Sequence, residues 1–329
     1  MGQHLIYWNE EVYYMKENRI ITEIFPDYLR DIAVCLEQLE NLQEVHLRAG
    51  RPLLLMADNR EYGITLQGEM TKNPDRAYRV NGSDLEAILM HLCHYSLYAY
   101  EDEIARGFIT LKGGHRVGIS GQAVMGADGI RSIKHITSMN LRIAHEVPGA
   151  ADAVFPYLYE KAELQDCLLI SPPGCGKTTL LRDIIRQVSD GNPYAGGKNV
   201  SVVDERSEIA GSYMGIMQNN LGSRTDLLDA CPKAQGMMLL LRSMNPYLIA
   251  VDEIGGTEDA AAIRQILKCG CHILATVHGE GLHDIRKKEG MEDLIEEGAF
   301  KRYVILSRSK GAGTIERVLD NKGNQVIAR

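Results

Sequence analysis

Short apolar runs alternate with longer stretches of helical spacing in the second half of the chain. The runs are rich in β-branched residues, and the segment KTTLLRDIIRQVS (177–189) after the first run has the rhythm of an amphipathic helix. Alternation of this kind is typical of a parallel sheet that is covered by helices on both faces. The predicted strands are CLLIS (167–171), NVSVVDE (199–205), YLIAVDE (247–253) and CHILATVHG (271–279).

The pattern in the first half of the chain predicts a smaller α+β domain. Residues 1 to about 40 have mostly helical spacing. The segment 83–107 predicts one long helix, in which Ser83 is the expected N-cap and Glu86 completes a capping box. Pairs of short strands are predicted at 45–56 and at 108–125.

A break at Pro148 and Gly149 separates the two patterns. It predicts a boundary between an N-terminal domain, residues 1–149, and a second domain, residues 150–329. A chain of 329 residues is long enough to form two separate cores. Near the end of the chain, YVILSRS (303–309) and TIERVLD (314–320) predict a hairpin at one edge of the second sheet.

The composition narrows the classes of function. Hydrophobic residues make up 45% and charged residues 24%, which is ordinary for a soluble globular protein. The net charge of -8 argues against a broad nucleic-acid-binding surface. No apolar run reaches the length that crosses a bilayer, and the first residues lack the pattern of a secretory signal. The seven scattered cysteines suit reduced thiols in a cytosol.

The stretch SPPGCGKTT (171–179) nearly matches the phosphate-loop pattern G-x-x-x-x-G-K-[ST], with Ser171 at the first position. Such loops bind phosphate because consecutive backbone N–H groups and a helix N-terminus face the anion. Lys177 would add positive charge at the β- and γ-phosphates, and the Thr178 hydroxyl would ligate Mg²⁺. The pattern favours nucleotide binding over an ordinary glycine-rich turn. The expected contacts are Ser171, Pro172, Pro173, Gly174, Cys175, Gly176, Lys177, Thr178 and Thr179.

An acidic pair ends the predicted strand in YLIAVDE. Asp252 and Glu253 follow its apolar run, at the carboxyl end where α/β proteins place their ligands. Asp252 is expected to hold Mg²⁺ and Glu253 to polarise the attacking water. The alternative interpretation is an acidic pair that only ends a strand.

These motifs and their order resemble the secretion and pilus-retraction ATPases of type II and type IV systems. Three segments carry the resemblance: VSVVDERSE (200–208) to the acidic box, LLLRSMNPYLIAVDEIGGTEDA (239–260) to the Walker B region, and KCGCHILATVHG (268–279) to the histidine box. Over its whole length the chain resembles the stage III sporulation ATPases of endospore formers. The resemblance implies an α/β, RecA-like P-loop ATPase domain with a parallel β-sheet core, preceded by a small α+β domain. It also implies ATP and Mg²⁺ as ligands.

The resemblance implies roles for further residues. His278 would sense the γ-phosphate, and the alternative is a histidine satisfied by neighbouring backbone. The Walker B strand of the secretion group usually ends in Gly-Glu, whereas this one ends in Asp252-Glu253, so Glu208 stays a second candidate for the base. An arginine from a neighbouring subunit would neutralise charge on the γ-phosphate. The candidates are Arg116 and Arg142, which the resemblance favours, and Arg224 and Arg242.

By the same resemblance the chain would form a homo-oligomer, a hexameric ring with ATP between subunits. The ring would power a sporulation-associated membrane channel or secretion apparatus. An integral membrane partner similar to SpoIIIAB would hold it at the inner membrane, on the cytoplasmic side in the mother cell.

Nucleic acid is not an expected partner, but two alternatives stay open. The first is an ATP-driven motor or loader on single-stranded nucleic acid, which stimulation of the ATPase by nucleic acid would reveal. The second is a nucleotide-gated scaffold with little hydrolysis, which a single-turnover assay would reveal.

Overall fold

The structure, a computed structural model, describes residues 20–126 and 129–326. Of the helical pattern predicted for residues 1 to about 40, residues 1–19 lie outside these ranges. Contacts along the chain define two compact units, Met1–His145 and Glu146–Arg329. Each unit has its own seven-stranded sheet.

The first unit packs short helices against an antiparallel sheet. Its helices are residues 20–24, α1 (Arg30–Glu37), α2 (Gly82–Leu92) and α3 (Glu101–Arg106), with 3₁₀ turns at Asp27–Leu29, Pro74–Arg76, Leu97–Tyr100 and Lys112–Gly114. Its strands are β1 (Leu42–Arg48), β2 (Leu54–Ala57), β3 (Arg60–Ile64), β4 (Met70–Thr71), β5 (Phe108–Thr110), β6 (Arg116–Gly126) and β7 (Gly129–Arg142). The order across the sheet is β4-β3-β2-β1-β7-β6-β5. Val45 and Leu47 of β1 pack in one core with Ile32 and Leu36 of α1, which confirms the α+β prediction.

The single helix predicted for 83–107 is wrong in two respects. The helix α2 begins after Asn81, whose side chain accepts from the backbone N–H of Asp84, while Asp84 accepts from the N–H of Asn81. This capping box lies two residues before the predicted one. The helix then stops at Leu92, because His94 and Tyr95 adopt positive φ values of 46° and 61°.

The second unit is built around a mostly parallel sheet. Its helices are α4 (Phe155–Leu158), α5 (Lys177–Asp190), α6 (Lys233–Ser243), α7 (Thr257–Lys268), α8 (Leu282–Ile285) and α9 (Met291–Glu296). Its main strands are β10 (Cys167–Ser171), β13 (Val200–Asp204), β14 (Thr225–Asp229), β15 (Leu248–Val251), β16 (His272–His278), β17 (Arg302–Ser307) and β18 (Thr314–Asp320). Two short ladders join β8 (Tyr159–Glu160) to β9 (Glu163–Leu164) and β11 (Gly191–Asn192) to β12 (Ala195–Gly196).

The strand order in this sheet is β14-β13-β15-β16-β10-β17-β18. All neighbours are parallel except β17 and β18, which form the predicted antiparallel hairpin at one edge. The other edge strand, β14, has no counterpart among the predicted strands. Its five residues are all half-buried, so it lacks the continuous apolar run that marks the central strands.

Helices cover both faces of the sheet, as predicted. Leu168 and Ile170 of β10 pack in one core with residues of α6 and α7. Cys167 and Leu169, which alternate with them along the strand, pack in a second core with residues of α4 and α5. The second unit therefore has the predicted RecA-like α/β architecture.

A glycine sets how closely α6 approaches the sheet. A Cβ atom on Gly236 would lie 2.6 Å from Cγ1 of Val203 and 3.2 Å from Cδ2 of Leu228. Both distances are below ordinary van der Waals contact, so α6 packs where no larger residue would fit.

The topology places the carboxyl ends of four strands side by side, at what is called the carboxyl end of the sheet below. Because β10, β13, β15 and β16 are parallel, their carboxyl ends all meet there. Ser171 and His278 are direct partners in the ladder between β10 and β16. Residues that follow these strands thus become neighbours despite large separations along the chain.

Candidate nucleotide-binding site

The phosphate loop connects β10 to α5 at the carboxyl end of the sheet. Gly174 and Gly176 have φ values of 69° and 87°, in the left-handed region that glycine adopts most easily. Gly176 is the N-cap residue of α5, so the helix N-terminus opens directly onto the loop. Ser171 is fully buried, and its hydroxyl donates to the carbonyl of Pro172 at 2.8 Å. Its side chain therefore braces the entry turn.

The other predicted loop residues flank this turn. Cys175 is buried, and its thiol lies 3.8 Å from the carbonyl of Pro173. Thr179 lies half-buried in the first turn of α5. The residues predicted to contact phosphate thus form one continuous segment, from the last residue of β10 through the loop to the first turn of α5.

Lys177 is buried at the start of α5, with 5% of its surface exposed. Its Nζ lies 2.9 Å from Nδ1 of His278 and 3.4 Å from the carbonyl of Ser171. Burial lowers the pKa of Lys177, and the carboxylates of Asp252 and Glu253 oppose that change. The ammonium therefore lies in the predicted phosphate pocket, among groups of opposite charge.

Asp252 follows β15 and faces the start of α5. Its Oδ2 accepts a hydrogen bond of 3.0 Å from the Thr178 hydroxyl, and its Oδ1 accepts one from the Thr276 hydroxyl. Within the described ranges no cluster of three or more His, Cys, Asp or Glu residues could hold a metal alone. Thr178 and Asp252 fit Mg²⁺ in a different way, because this ion takes few protein oxygens and fills its other positions with phosphate and water.

Glu253 adopts a left-handed backbone, with a φ value of 53°, and its N–H donates to the Thr276 hydroxyl at 2.9 Å. One carboxylate oxygen lies 2.6 Å from Nε2 of His278, and the other lies 2.8 Å from Nη1 of Arg206. Since an ammonium can only donate, Nδ1 of His278 accepts from Lys177 and Nε2 carries the proton that Glu253 accepts. The four charged or polar groups form a continuous chain from Lys177 to Arg206.

The acidic box lies in the loop after β13. Asp204, 2% exposed, accepts from the backbone N–H groups of Glu208, Ile209 and Ala210 at 2.8–2.9 Å. Burial raises the pKa of Asp204 to about 6, although these three N–H groups act in the opposite direction. Asp204 therefore fixes the path of the loop that carries Glu208.

Glu208 lines one narrow cleft together with Asp252 and Glu253. The structure thus brings both candidates for the base, Glu208 and Glu253, to the carboxyl end of the sheet. The carbonyl of Glu208 accepts from Nη2 of Arg182 at 3.4 Å.

Sequence reasoning missed Arg206 and Arg182. Arg206 stands inside the acidic box, two residues after Asp204, and this spacing was its only signal in the sequence. Arg182 lies on α5 beyond the loop motif. Burial lowers the pKa of Arg182, and the nearby carboxylates, including Asp204 and Asp252, oppose the change.

Arg242 and Arg224 lie at the other end of the same sheet, where the parallel strands begin. They line a cavity of about 810 Å³ together with Lys198, Asn199 and Tyr247. Asn199 and Tyr247 immediately precede β13 and β15, so the cavity is at the amino ends of the strands. Neither arginine can therefore reach the phosphate loop of its own chain, and for both only the predicted action on a neighbouring subunit remains.

Arg116 and Arg142 lie in the first unit, on neighbouring strands. They are direct partners in the ladder between β6 and β7. The guanidinium of Arg116 lies 3.6 Å above the ring of Phe108, and that of Arg142 lies 3.6 Å from a carboxylate oxygen of Glu44. Their role in a neighbouring subunit stays a prediction.

Comparison with known proteins identifies the family. The sequence profile of the family "Sporulation stage III, protein AA" matches residues 15–326. The chain belongs to this family. The stage III sporulation protein AA of Bacillus subtilis (strain 168) is 38% identical over 311 residues, which cover 94% of this chain and 97% of that protein. The motifs described above therefore come from a member of the stage III protein AA family.

Solved structures show the same fold at low sequence identity. The ATPase DotB of Yersinia pseudotuberculosis superposes with a TM-score of 0.56 at 13% identity, covering 97% of this family member and 82% of DotB. The pilus retraction motor PilT, solved with bound ADP, gives a TM-score of 0.50 at 14% identity, covering 80% and 73%. The stage III protein AA chain thus has the P-loop ATPase fold of these proteins. In residues 20–126 and 129–326 no helix has the length and apolar character needed to traverse a bilayer.

Proposed function

We propose that this chain is a Mg²⁺-dependent ATPase that hydrolyses ATP in a ring of identical subunits. One observation carries the proposal: Lys177, Thr178, Asp252 and Glu253 converge at the helix end of a phosphate loop. Each has the chemistry that one part of phosphoryl transfer requires. The structure of PilT with bound ADP, which has the same fold, supports a nucleotide as the ligand.

The residues divide the work of hydrolysis between them. Lys177 leaves His278 and binds phosphate oxygens, together with the backbone N–H groups of the loop. When bound, Mg²⁺, held by Thr178 and Asp252, neutralises charge on the phosphates. Glu253 orients a water molecule and accepts its proton as the water oxygen bonds to the γ-phosphorus. The bond from the γ-phosphorus to the bridging oxygen breaks, and ADP and phosphate leave.

Substitution of Lys177 tests nucleotide binding. Lys177→Ala should weaken ATP binding on the order of 10²-fold, because it removes a charged donor to two phosphates. The matched control is Lys198→Ala, which removes an exposed lysine at the amino ends of the parallel strands, away from the phosphate loop. Calorimetric titration with Mg-ATP measures both. Equal affinity of the Lys177→Ala variant and the wild type would refute the proposal.

Substitution of Glu253 separates hydrolysis from binding. Glu253→Gln should bind ATP normally but release phosphate at least ~10²-fold more slowly. A second candidate function is a nucleotide-gated scaffold with little hydrolysis, and one observation favours it. Both carboxylate oxygens of Glu253 are already paired, with His278 and Arg206. A wild-type single-turnover rate no faster than that of Glu253→Gln would support the scaffold.

The ring and its membrane partner extend the proposal. The family match to a stage III sporulation protein supports work in sporulation. We place the chain at the inner membrane of the mother cell through an integral membrane partner, for which the SpoIIIAB-like component stays the candidate. Six subunits with ATP between them would let an arginine of one subunit reach the site of the next.

Light scattering with a non-hydrolysable ATP analogue measures the mass of the assembly, and a monomer at all concentrations would refute the ring. Mixing Lys177→Ala subunits with Arg142→Ala or Arg116→Ala subunits should partly restore hydrolysis if that arginine acts on its neighbour. No recovery for either arginine would contradict the favoured candidates.

A further inference from the structure

The hairpin between β17 and β18 reaches the phosphate loop. The backbone N–H of Gly313 donates to the carbonyl of Cys175 at 2.8 Å. A Cβ atom on Gly176 would lie 2.9 Å from the nitrogen of Gly313, so the two backbones are in direct contact. The residues that connect the two strands, Arg308–Gly313, are called the 308–313 loop below.

This contact brings the guanidinium of Arg308 to the phosphate loop. A Cβ atom on Gly174 would lie 3.7 Å from Cζ of Arg308 and 3.8 Å from both Nη1 and Nη2. Because the three distances are nearly equal, the flat face of the guanidinium is turned toward Gly174. Its N–H groups lie in the plane of the guanidinium and are not directed at Gly174.

Hydrogen bonds within the hairpin hold the backbone of Arg308 in this position. The hydroxyls of Ser307 and Ser309 both donate to the same carboxylate oxygen of Glu316. The N–H of Gly311 donates to the carbonyl of Arg308 at 3.1 Å, and the Thr314 hydroxyl donates to the carbonyl of Gly311 at 2.7 Å. The loop is therefore braced on both sides of Arg308, which reduces the entropy lost when the side chain binds a ligand.

The guanidinium itself has no partner in the part of the chain that the structure describes. No hydrogen bond or ion pair of the Arg308 side chain occurs in residues 20–126 and 129–326, and the side chain is exposed. Because the chain has a net charge of -8, a cation without a partner next to an anion-binding loop is a specific indication of an anionic ligand. Planar guanidinium donors match phosphate oxygens well.

We propose that Arg308 binds the phosphate chain of a nucleoside di- or triphosphate in the same subunit. The inference rests on the proposed function, since it requires a nucleotide in the loop. It differs from the arginines expected from the sequence, which would act on a neighbouring subunit. The side chain has only to rotate from the face of Gly174 to bring its N–H groups to the phosphates.

The matched test compares two neighbouring cations of this loop. Arg308→Ala should weaken the binding of Mg-ATP and Mg-ADP by ~10-fold or more, because it removes charge-assisted hydrogen bonds to phosphate. Lys310→Ala, which removes an exposed charge from the same loop, should change either affinity by less than about 2-fold. Arg308→Gln keeps most of the side-chain length but lacks the charge, so it should lose as much affinity as Arg308→Ala. It therefore separates loss of the guanidinium from a folding defect in Arg308→Ala.

The outcomes are distinct. Wild-type affinity in Arg308→Ala and Arg308→Gln would overturn the inference, and so would an equal loss in Lys310→Ala, which would indicate only a general effect of charge. In both cases a loss of binding in Lys177→Ala would leave the proposed function intact. If the wild type and Lys177→Ala bind ATP equally poorly, the proposed function fails and the Arg308 inference fails with it.

Hydrogen exchange provides a second measurement. Saturating Mg-ADP should slow amide exchange in residues 308–314 of the wild type, because the ligand ties the loop to the phosphate loop through Arg308. The same ligand, at a concentration that saturates the variant, should protect these residues less in Arg308→Gln. Equal protection in both proteins would contradict the inference.

Discussion

Replacing Asp204 by Asn should change how the stability of the protein depends on pH. Asp204 is buried, and its pKa is raised from the ordinary value of 3.8 to about 6, first by burial and also by Asp229. The folded state therefore keeps its proton up to about pH 6, whereas the unfolded chain loses it near 3.8. Between these values the folded state binds more protons, so the free energy of unfolding falls as pH rises. The Asn variant has no such proton.

The size of the effect follows from the pKa. The step from 3.8 to about 6 corresponds to about 3 kcal/mol of stability, which is present at low pH and lost above the folded pKa. About 2 kcal/mol of this change falls between roughly pH 4.5 and roughly pH 7.5. The Asn side chain has one acceptor oxygen for three N–H donors, so the variant also loses at least one hydrogen bond, about 1 kcal/mol at every pH.

Urea unfolding across this pH range, followed by circular dichroism, measures the difference between variant and wild type. We expect the stability of Asp204→Asn relative to the wild type to rise by about 2 kcal/mol from roughly pH 4.5 to roughly pH 7.5. The exposed Glu289→Gln is the control and should show a nearly constant difference. A constant difference for Asp204→Asn as well would refute the reasoning, because Asp204 would then lose its proton at the same pH in both states.

Three further predictions concern hydrolysis and packing. Glu208→Gln should slow phosphate release less than Glu253→Gln, and a larger loss would make Glu208 the base. Gly236→Ala should lower the free energy of unfolding by roughly 1–3 kcal/mol in urea, because its Cβ would lie 2.6 Å from Val203; unchanged stability would mean that α6 moves away easily. Thr276→Val should lower stability by roughly 1–3 kcal/mol and slow turnover, whereas Thr276→Ser should keep both; a normal Val variant would contradict the role of the hydroxyl.

The central strands could be predicted because their signal is strong and local. Each of β10, β13 and β15 is short, fully buried and mostly apolar. The half-buried edge strand β14 has no such run, since one side has no neighbouring strand and its side chains are partly exposed. The strand order also could not be predicted, because the insertion of β16 between β15 and β10 depends on packing of the whole sheet.

The helix over 83–107 illustrates a different limit. Ser83 and Glu86 satisfy the spacing of a capping box, but Asn81 and Asp84 satisfy it equally well and form it in the structure. Two overlapping matches cannot be ranked by spacing alone. The choice depends on Asp84, which is buried and also accepts from the hydroxyls of Tyr28 and Tyr78.

Several residues of the candidate site, such as Lys177 and Asp252, could be located from the sequence, because each one follows a recognisable strand or glycine turn. Their contacts could not. Lys177 and His278 are 101 positions apart, and Arg206 and Glu253 are 47 apart. Arg308 carries no motif at all, and only the return of the last hairpin to the phosphate loop brings it to the site.

The contacts of His278 bear on its two interpretations. A histidine satisfied by backbone alone would explain neither ring nitrogen, since one accepts from Lys177 and the other donates to Glu253. Under the proposed function, phosphate takes Lys177 away, and Nδ1 of His278 loses its donor while Nε2 keeps its hydrogen bond to Glu253. Occupation of the phosphate loop would thus change the contacts of the imidazole that is hydrogen-bonded to Glu253.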